Sequence, residues 1–590
     1  MITRKIFSYG TRNLFFAFAV VFVLAFVACN PEPEPEPELN PKTYTVTFDI
    51  NGGSGTAPSA QTVNSGSVIT LPGTNGFEKT GFTLGGWNTK ADNTGTNSKA
   101  GSSYTVTANI TLYARWWNNN DTNFETVMGL VEKLAWIEFF AESDEEYAIT
   151  LNVNENIAPQ TVSCTGRTGV TVTLKGDTTA RVVSLSSNGP LFSVESGVML
   201  VLDNNITLQG RSNNNVSLIA VNSGGALEMK AGAKITGNTA ESDSFVGGGG
   251  VAVRDNGTFT MTGGEISGNA VTSDVWAGGG GVIVVGTGTF TMKGGEISGN
   301  TASDDGGGVS VHDSGTFTMQ GGEISGNSVD ADSWANGGGV NVSSGTFTMT
   351  GGKIADNTAT SDTGSSGGGV SVYQGTFTMS GGEISGNTTS GDRSDGGGVK
   401  VDDNGTFIMQ GGKISGNTAS GNSWAGGSGV EVGGTFTMNG GEISDNTASD
   451  ADNAGGGGVH VYKGIFTMSG TAKISDNTVT ATDWAGGGGV FVGGGTFTMN
   501  DGTISGNTAT ADDWTDGGGV FVDSEGTFHI VTGTVYGSDE GANSNTALGG
   551  AALTNNKTAQ RGTFNGTTWT SKGDLETTND TIKVVNGELQ

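Results

Sequence analysis

The stretch GGGVSVHDSGTFTMQGGEISGN, residues 306–327, decides the reading, because close copies of it fill more than half the chain. Its phenylalanine, Phe317, recurs at Phe259, Phe290, Phe347, Phe377, Phe407, Phe436, Phe466, Phe497 and Phe528, about every 30 residues. Within a copy the apolar residues alternate: Val309 and Val311, then Phe317 and Met319, then Ile324. Alternation of this kind marks short strands with one face turned inward. Three such strands joined by glycine-rich corners make one coil of a parallel β-helix. A propeller blade needs four strands and roughly 40–45 residues, more than this unit holds. One coil has too few apolar side chains to fold alone, so the copies must stack.

Stacking in register would place equivalent residues about 4.8 Å apart, where opposite charges attract and like charges repel. The residue before the core isoleucine reads Glu323, Lys353, Glu383, Lys413, Glu442, Lys473 in successive copies, as such stacking favours. Glu265 and Glu296, earlier in the series, break the alternation. Asn269, Asn300, Asn327, Asn357, Asn387, Asn417, Asn446, Asn477 and Asn507 fall at one corner, where stacked amides could bond up a column. An earlier degenerate copy holds Leu227, Met229, Ile235 and Asn238, and irregular coils extend back to Tyr147. About fourteen coils would give a rod near 65 Å long. Beyond Phe528 the pattern decays toward Ile582–Val585, as a terminal cap should. The expected fold is therefore all-β: a right-handed parallel β-helix over 147–590 with a degenerate C-terminal cap. This domain resembles the pectin-lyase-like β-helix proteins. Its GGGV and GN copies are similar to the repeats of polymorphic outer-membrane proteins, although no terminal membrane barrel follows here.

Composition agrees with a repeat protein and excludes several function classes. Glycine is 105 of 590 residues without an every-third period, so collagen is excluded. A net charge of −31 offers no basic face to nucleic acid.

Ahead of the rod the texture changes twice. Over 44–117, a strand-like Tyr44–Phe48 and the turn Asn51-Gly52-Gly53 lead to GFTLGGW (81–87) and ITLYARW (110–116). These motifs, in this order and spacing, resemble the internalin-type B repeat, the Listeria–Bacteroides repeat family. The resemblance implies a small β-grasp-like module of bacterial surface proteins, with Trp87 and Trp116 in its core. Residues 118–146 then form a linker and helix. Val127, Leu130, Val131, Leu134 and Ile137 make an apolar stripe, and the polar face is too acidic for a membrane surface. The helix should cap the open end of the rod.

The N-terminus reads as an export signal. Arg4, Lys5 and Arg12 precede an apolar run from Leu14 to Ala28, shorter than a membrane span. Phe26-Val27-Ala28-Cys29 resembles the lipobox of bacterial lipoproteins, with Phe26 where Leu is commonest. That resemblance implies a signal peptide over 1–28, acylation of Cys29, and membrane attachment through the lipid at the cell envelope or outer surface. The Pro-Glu alternation within 29–43 is a stiff spacer. Cys164, then the lone thiol, should be buried and inert.

Two sets of side chains are candidates for function. Trp276, Trp334, Trp424, Trp484 and Trp514 share one long loop of the repeat. They either fold down over their own corners or stand out to stack on sugar rings or a protein partner. Asp392, Arg393, Asp395, Asp402 and Asp403 form the one place combining the acids and arginine of β-helix enzymes that cleave acidic polysaccharides. Acidic pairs such as Asp304/Asp305 and Asp512/Asp513 recur in other copies, so these acids read as solvated turns. His312, His460 and His529 are too dispersed for a metal cluster or triad. No cofactor is expected; Ca2+ at the acidic turns is the one ion the pattern admits, though the GGxGxDxUx nonapeptide is lacking. The expected function is a non-enzymatic, lipid-anchored surface adhesin or structural rod that meets a glycan or a host or neighbour-cell protein. The alternative is a polysaccharide lyase or glycoside hydrolase acting on acidic glycans.

Overall fold

The computed structural model describes residues 42–590, apart from 94, 99, 119–123, 125–128, 165, 244–245, 451, 548–550, 556–557 and 565–568. Cys29, residues 1–28 and most of the spacer therefore lie outside the described residues, as does Val127 of the helix stripe.

From Glu146 onward the chain winds as a parallel β-solenoid. Phe259, Phe290, Phe317 and their successors to Phe528 stack ring on ring, with centroids 4.6–4.8 Å apart and planes within 15°. The strands Thr316–Met319, Glu323–Ser325 and Val340–Ser343 each pair in register with their equivalents in the neighbouring coils, as the alternation requires. Glu323 faces Lys353, Lys353 faces Glu383, and the series continues to Glu442 and Lys473. The ion pair closes at Lys473–Glu442 (3.1 Å), whereas Lys413 turns to Asp445 (3.5 Å). Charge alternation thus marks register more than it supplies bonds, as exposed pairs contribute little.

The asparagine corner is bonded throughout. Asn387 Nδ2 donates to Asn417 Oδ1 (2.9 Å) and to Ile354 O (3.0 Å). Its Oδ1 accepts from the backbone N and Nδ2 of Asn357. The same amide-to-amide rung runs from Asn269 to Asn545, and Asn238 joins below through its backbone N–H to Asn269 Oδ1, so the column extends past the nine positions read from sequence. Each amide spans three coils, so buried corner carbonyls are satisfied where a simple strand ladder cannot reach them.

Glycine is required where the corner closes on the core. Gly322 has φ +86°, and a Cβ there would stand 2.7 Å from Met292 Cε.

From Thr239 onward the coils carry a fourth element that the three-strand reading lacks. Between the asparagine and the glycines, an arm of two short strands, such as Ser328–Ala331 and Trp334–Asn336, builds its own sheet. Its interior is a column of alanines and valines, including Ala240, Val271, Ala302, Val329 and Ala359. These side chains are small and scattered among Thr, Ser and Asp, so the arm reads as a polar loop. The arm packs on the outer side of the valine strands. Consequently both faces of those strands are buried, and the middle residue of each V-x-V is covered: Ser310 at 0% exposure, Glu431 at 0%.

The rod's first coils are closed by the helix Leu130–Phe140, whose Leu130, Leu134, Ala135, Trp136 and Ile137 join the same core as Ile149 and Leu151. Arg167 Nη2 donates to Phe139 O (2.8 Å), satisfying a free carbonyl at the helix C-terminus. At the other end the strand Ile582–Val585 pairs antiparallel with Gly533–Val535, which ends the parallel stack. Cys164 is buried, and its thiol is pushed up by that burial. The small N-terminal domain is a five-stranded mixed sheet in which Thr43–Asp49 runs parallel to Ile110–Asn118. Trp87 is its fully buried centre, and the half-buried Trp116 donates Nε1 to Ile50 O (2.8 Å). No helix crosses this sheet among its described residues.

Candidate functional site

Trp334, Trp484 and Trp514 open the arm's second strand, Trp276 immediately precedes it, and Trp424 lies in the single long arm strand Thr418–Gly426. Register aligns Trp334, Gly364, Arg393, Trp424, Asn453, Trp484 and Trp514 in one column. Whether each indole lies down is set two residues later. In Trp276-Ala277-Gly278, Trp424-Ala425-Gly426 and Trp484-Ala485-Gly486 the ring lies over the glycine, where a Cβ would meet it at 2.2–2.7 Å. These three tryptophans are half-buried. Trp334 and Trp514 are followed instead by Asn336 and Asp516, which leave no bare glycine in their own coil, and the Trp334 ring leans over Gly364 of the next coil. Trp334 and Trp514 stand 51% and 72% exposed.

The seated indoles roof the covered V-x-V column. Its middle residues read Ala252, Ile283, Ser310, Asn341, Ser371, Lys400, Glu431, His460, Phe491, Phe521. The first half is small or apolar; the second half is charged and then aromatic. This is the departure from the repeat that scanning for acidic pairs missed. Its signal was in the sequence, at the one position between two invariant valines.

In the charged half, Lys400 Nζ lies 3.3 Å from Asp395 Oδ2 and 3.6 Å from Glu431 Oε1. Arg393 Nε lies 2.8 Å from Asp395, and His460 Nδ1 2.7 Å from Glu431 Oε2. Burial pushes the Asp395 carboxyl up, but Lys400 and Arg393 outweigh it and hold it below the usual range. Burial likewise pulls the Lys400 ammonium down, while Asp395 and Glu431 raise it above its ordinary value. Asp395, Lys400 and Arg393 thus hold one another charged inside the protein. Beyond it, His460 stacks on Phe491 (4.6 Å, 6°), and Phe491 on Phe521 (5.2 Å, 17°). Trp484 meets both phenylalanines, at 5.3 and 5.4 Å.

Two adjoining grooves of about 430 and 440 Å³ open on this patch. The first is lined by Arg393, Trp424, His460, Tyr462 and Phe491, with Asp523 and Glu525 on its rim. The second is lined by Trp424, Asn453, Trp484, Phe491, Asp516, Phe521 and Asp523.

The acids of the enzyme pattern do not converge. Asp395 is buried in the ion cluster, not solvated, and Asp392 is exposed with its carboxylate on Ser423 Oγ (2.6 Å). Asp403, at the next corner, pairs with Lys463 (2.9 Å). Asp305 also departs from a solvated turn: Trp276 Nε1 and Asn336 Nδ2 donate to it, and burial pushes its carboxyl up. Among the described residues no group of three or more His, Cys, Asp or Glu is placed to hold a metal, and no helix is long and apolar enough to cross a membrane.

Residues 44–115 match the family model described as the Listeria-Bacteroides repeat domain, in agreement with the motifs GFTLGGW and ITLYARW. No curated protein and no solved structure matches the chain. The class that fold and site define is a parallel β-solenoid joined to a Listeria-Bacteroides repeat.

Proposed function

We propose that this chain is a non-enzymatic, lipid-anchored rod displayed at the cell envelope, acting as an adhesin or interaction scaffold toward a glycan or a protein of a host or neighbouring cell. The observation that carries the reading is the distribution of departures from the repeat. Nine consecutive coils keep the same core Phe, Met and Ile and the same corner Asn. At the covered position between the two valines the charged and aromatic side chains Lys400, Glu431, His460, Phe491 and Phe521 follow one another on one lateral patch. Such a patch suits recognition, since its charged groups are already spent on one another. The Listeria-Bacteroides repeat and the spacer after Cys29 support display at a surface. Metabolic labelling with an alkyne fatty acid tests the anchor. The wild-type chain should incorporate label and be shaved from intact cells by protease, whereas Cys29→Ser should lose the label. Labelling of Cys29→Ser equal to wild type would overturn the lipid anchor.

One observation favours a second reading, cleavage of an acidic glycan. His460 is oriented by the buried Glu431 through Nδ1 and lines a groove beside Arg393, an arrangement able to move a proton next to a carboxylate anchor. An unsaturated-product or reducing-sugar assay on acidic polysaccharides decides it. Turnover that disappears in His460→Ala would establish the enzyme and displace the rod.

A further inference from the structure

We propose that the groove between Trp424 and Trp484 is a cation-recognition site that takes a lysine or arginine side chain from a basic segment of a partner protein; this rests on the display-rod reading and names its partner. Four aromatic residues line the groove: Trp424, Trp484, Phe491 and Phe521. The Trp424 and Trp484 rings are parallel within 12° at 6.3 Å, and they flank the coil in which Asn453 holds the tryptophan position. Aromatic faces attract cations, most strongly where water is partly excluded.

The polar lining selects among ligands. Asp516 and Asp523 contribute carboxylates, Asn453 one amide, and no cationic side chain lines this groove. The Trp484 indole N–H is already donated to Asp516 (3.3 Å). A sugar ring, whose hydroxyls both donate and accept, needs donors from its site. The Trp424 indole N–H has no partner but is buried against Gly426, which leaves the Asn453 amide as the one accessible side-chain donor among the lining residues. An ammonium or guanidinium only donates, and carboxylates only accept. The nearest cation, Arg393, lies in the neighbouring groove and is committed to Asp395 and the Tyr462 ring.

Charge along the same edge favours a segment with several cations over a small amine. The turns before the tryptophans carry Asp452, Asp483, Asp512 and Asp513, and the chain as a whole has 58 acidic against 27 basic residues. Their field would raise the encounter rate of a basic segment and make binding salt-dependent. The Trp424 and Trp484 rings would hold one side chain over a floor made by the stacked Phe491 and Phe521, which fixes its position.

The test is isothermal titration of the full-length chain in mild detergent with a ten-residue Lys/Gly peptide, beside the same peptide Nε-acetylated, tetramethylammonium, and a neutral oligosaccharide. The account expects the lysine peptide to bind, the acetylated peptide to bind at least about tenfold more weakly, and tetramethylammonium to bind weakly at the same site. Trp484→Ala and the pair Asp516→Asn/Asp523→Asn should each weaken the peptide about tenfold. The distant acidic pair changed as Asp330→Asn/Asp332→Asn should leave it unchanged. Trp484→Phe keeps an aromatic ring and should retain part of the affinity, which separates lost recognition from lost folding. No binding, equal binding of the acetylated peptide, equal loss in the Asp330/Asp332 variant, or oligosaccharide binding in its place would each overturn the proposal. Surface display confirmed by shaving, with no peptide binding, would sink this inference and leave the rod standing.

Discussion

Replacing Asn387 by alanine removes one rung of the buried amide column, and the structure gives the cost. Four hydrogen bonds are lost: two donated by Nδ2, to Ile354 O and Asn417 Oδ1, and two accepted by Oδ1, from the N and Nδ2 of Asn357. At about 1 kcal/mol each the loss is ~4 kcal/mol, and the stranded Asn357 donors, buried without water, add to it. Because a solenoid is stabilised between nearest neighbours, the damage should be local. Hydrogen exchange should therefore quicken at Thr376–Met379 and Thr406–Met409, while Phe259 and its strand keep their protection. Asn387→Asp adds a control without a cavity. At neutral pH it should be as damaging as alanine, and acid should relieve it, because a protonated carboxyl regains one donor. A loss under ~1 kcal/mol in Asn387→Ala would refute the claim that these amides hold the corner.

Phe377→Ala, which empties a ring between Phe347 and Phe407 at 4.6 and 4.7 Å, should cost ~3–5 kcal/mol by denaturant titration. Lys400→Met strands the buried Asp395 and Glu431 carboxylates and should cost ~3–5 kcal/mol by denaturant titration. Gly486→Ala should unseat Trp484 and raise its acrylamide quenching, while Asn336→Gly should seat Trp334 and lower its quenching. His312 is held by burial at a pKa of about 4, against 6.5 when free. The unfolded coil therefore gains its proton first, and local stability should fall by ~3 kcal/mol as the pH drops from 6.5 to 4. His312→Gln should flatten that slope in hydrogen exchange at Val309–His312.

Large side chains at fixed spacing made the rod legible. Phe317, Met319, Ile324 and Asn327 each repeat at one phase, so faces, register and the amide corner could be read directly. The arm was hidden because its interior is built of alanine, which patterns with Thr and Ser as loop. Without the arm, simple alternation leaves the V-x-V middle positions, Lys400, Glu431 and His460 among them, on the outer face, and nothing in the pattern marks them as buried. The fate of the tryptophans needed a Cβ test two residues downstream, at Gly426 and Gly486 against Asn336 and Asp516. Acidic pairs misled for a related reason: Asp395 and Asp305 sit in the same motif as exposed neighbours, but the arm buries them.

The central claim is that successive coils rise along one axis in register. Spin labels at the exposed Thr258 and Ile465 test it most directly, since the paired strands place them seven coil steps apart. Pulsed dipolar spectroscopy should give about 34 Å for that pair and about 19 Å for Thr346 with Ile465, four steps apart. Distances that fail to grow in proportion to the number of steps, or that fold back as in a ring, would contradict the solenoid.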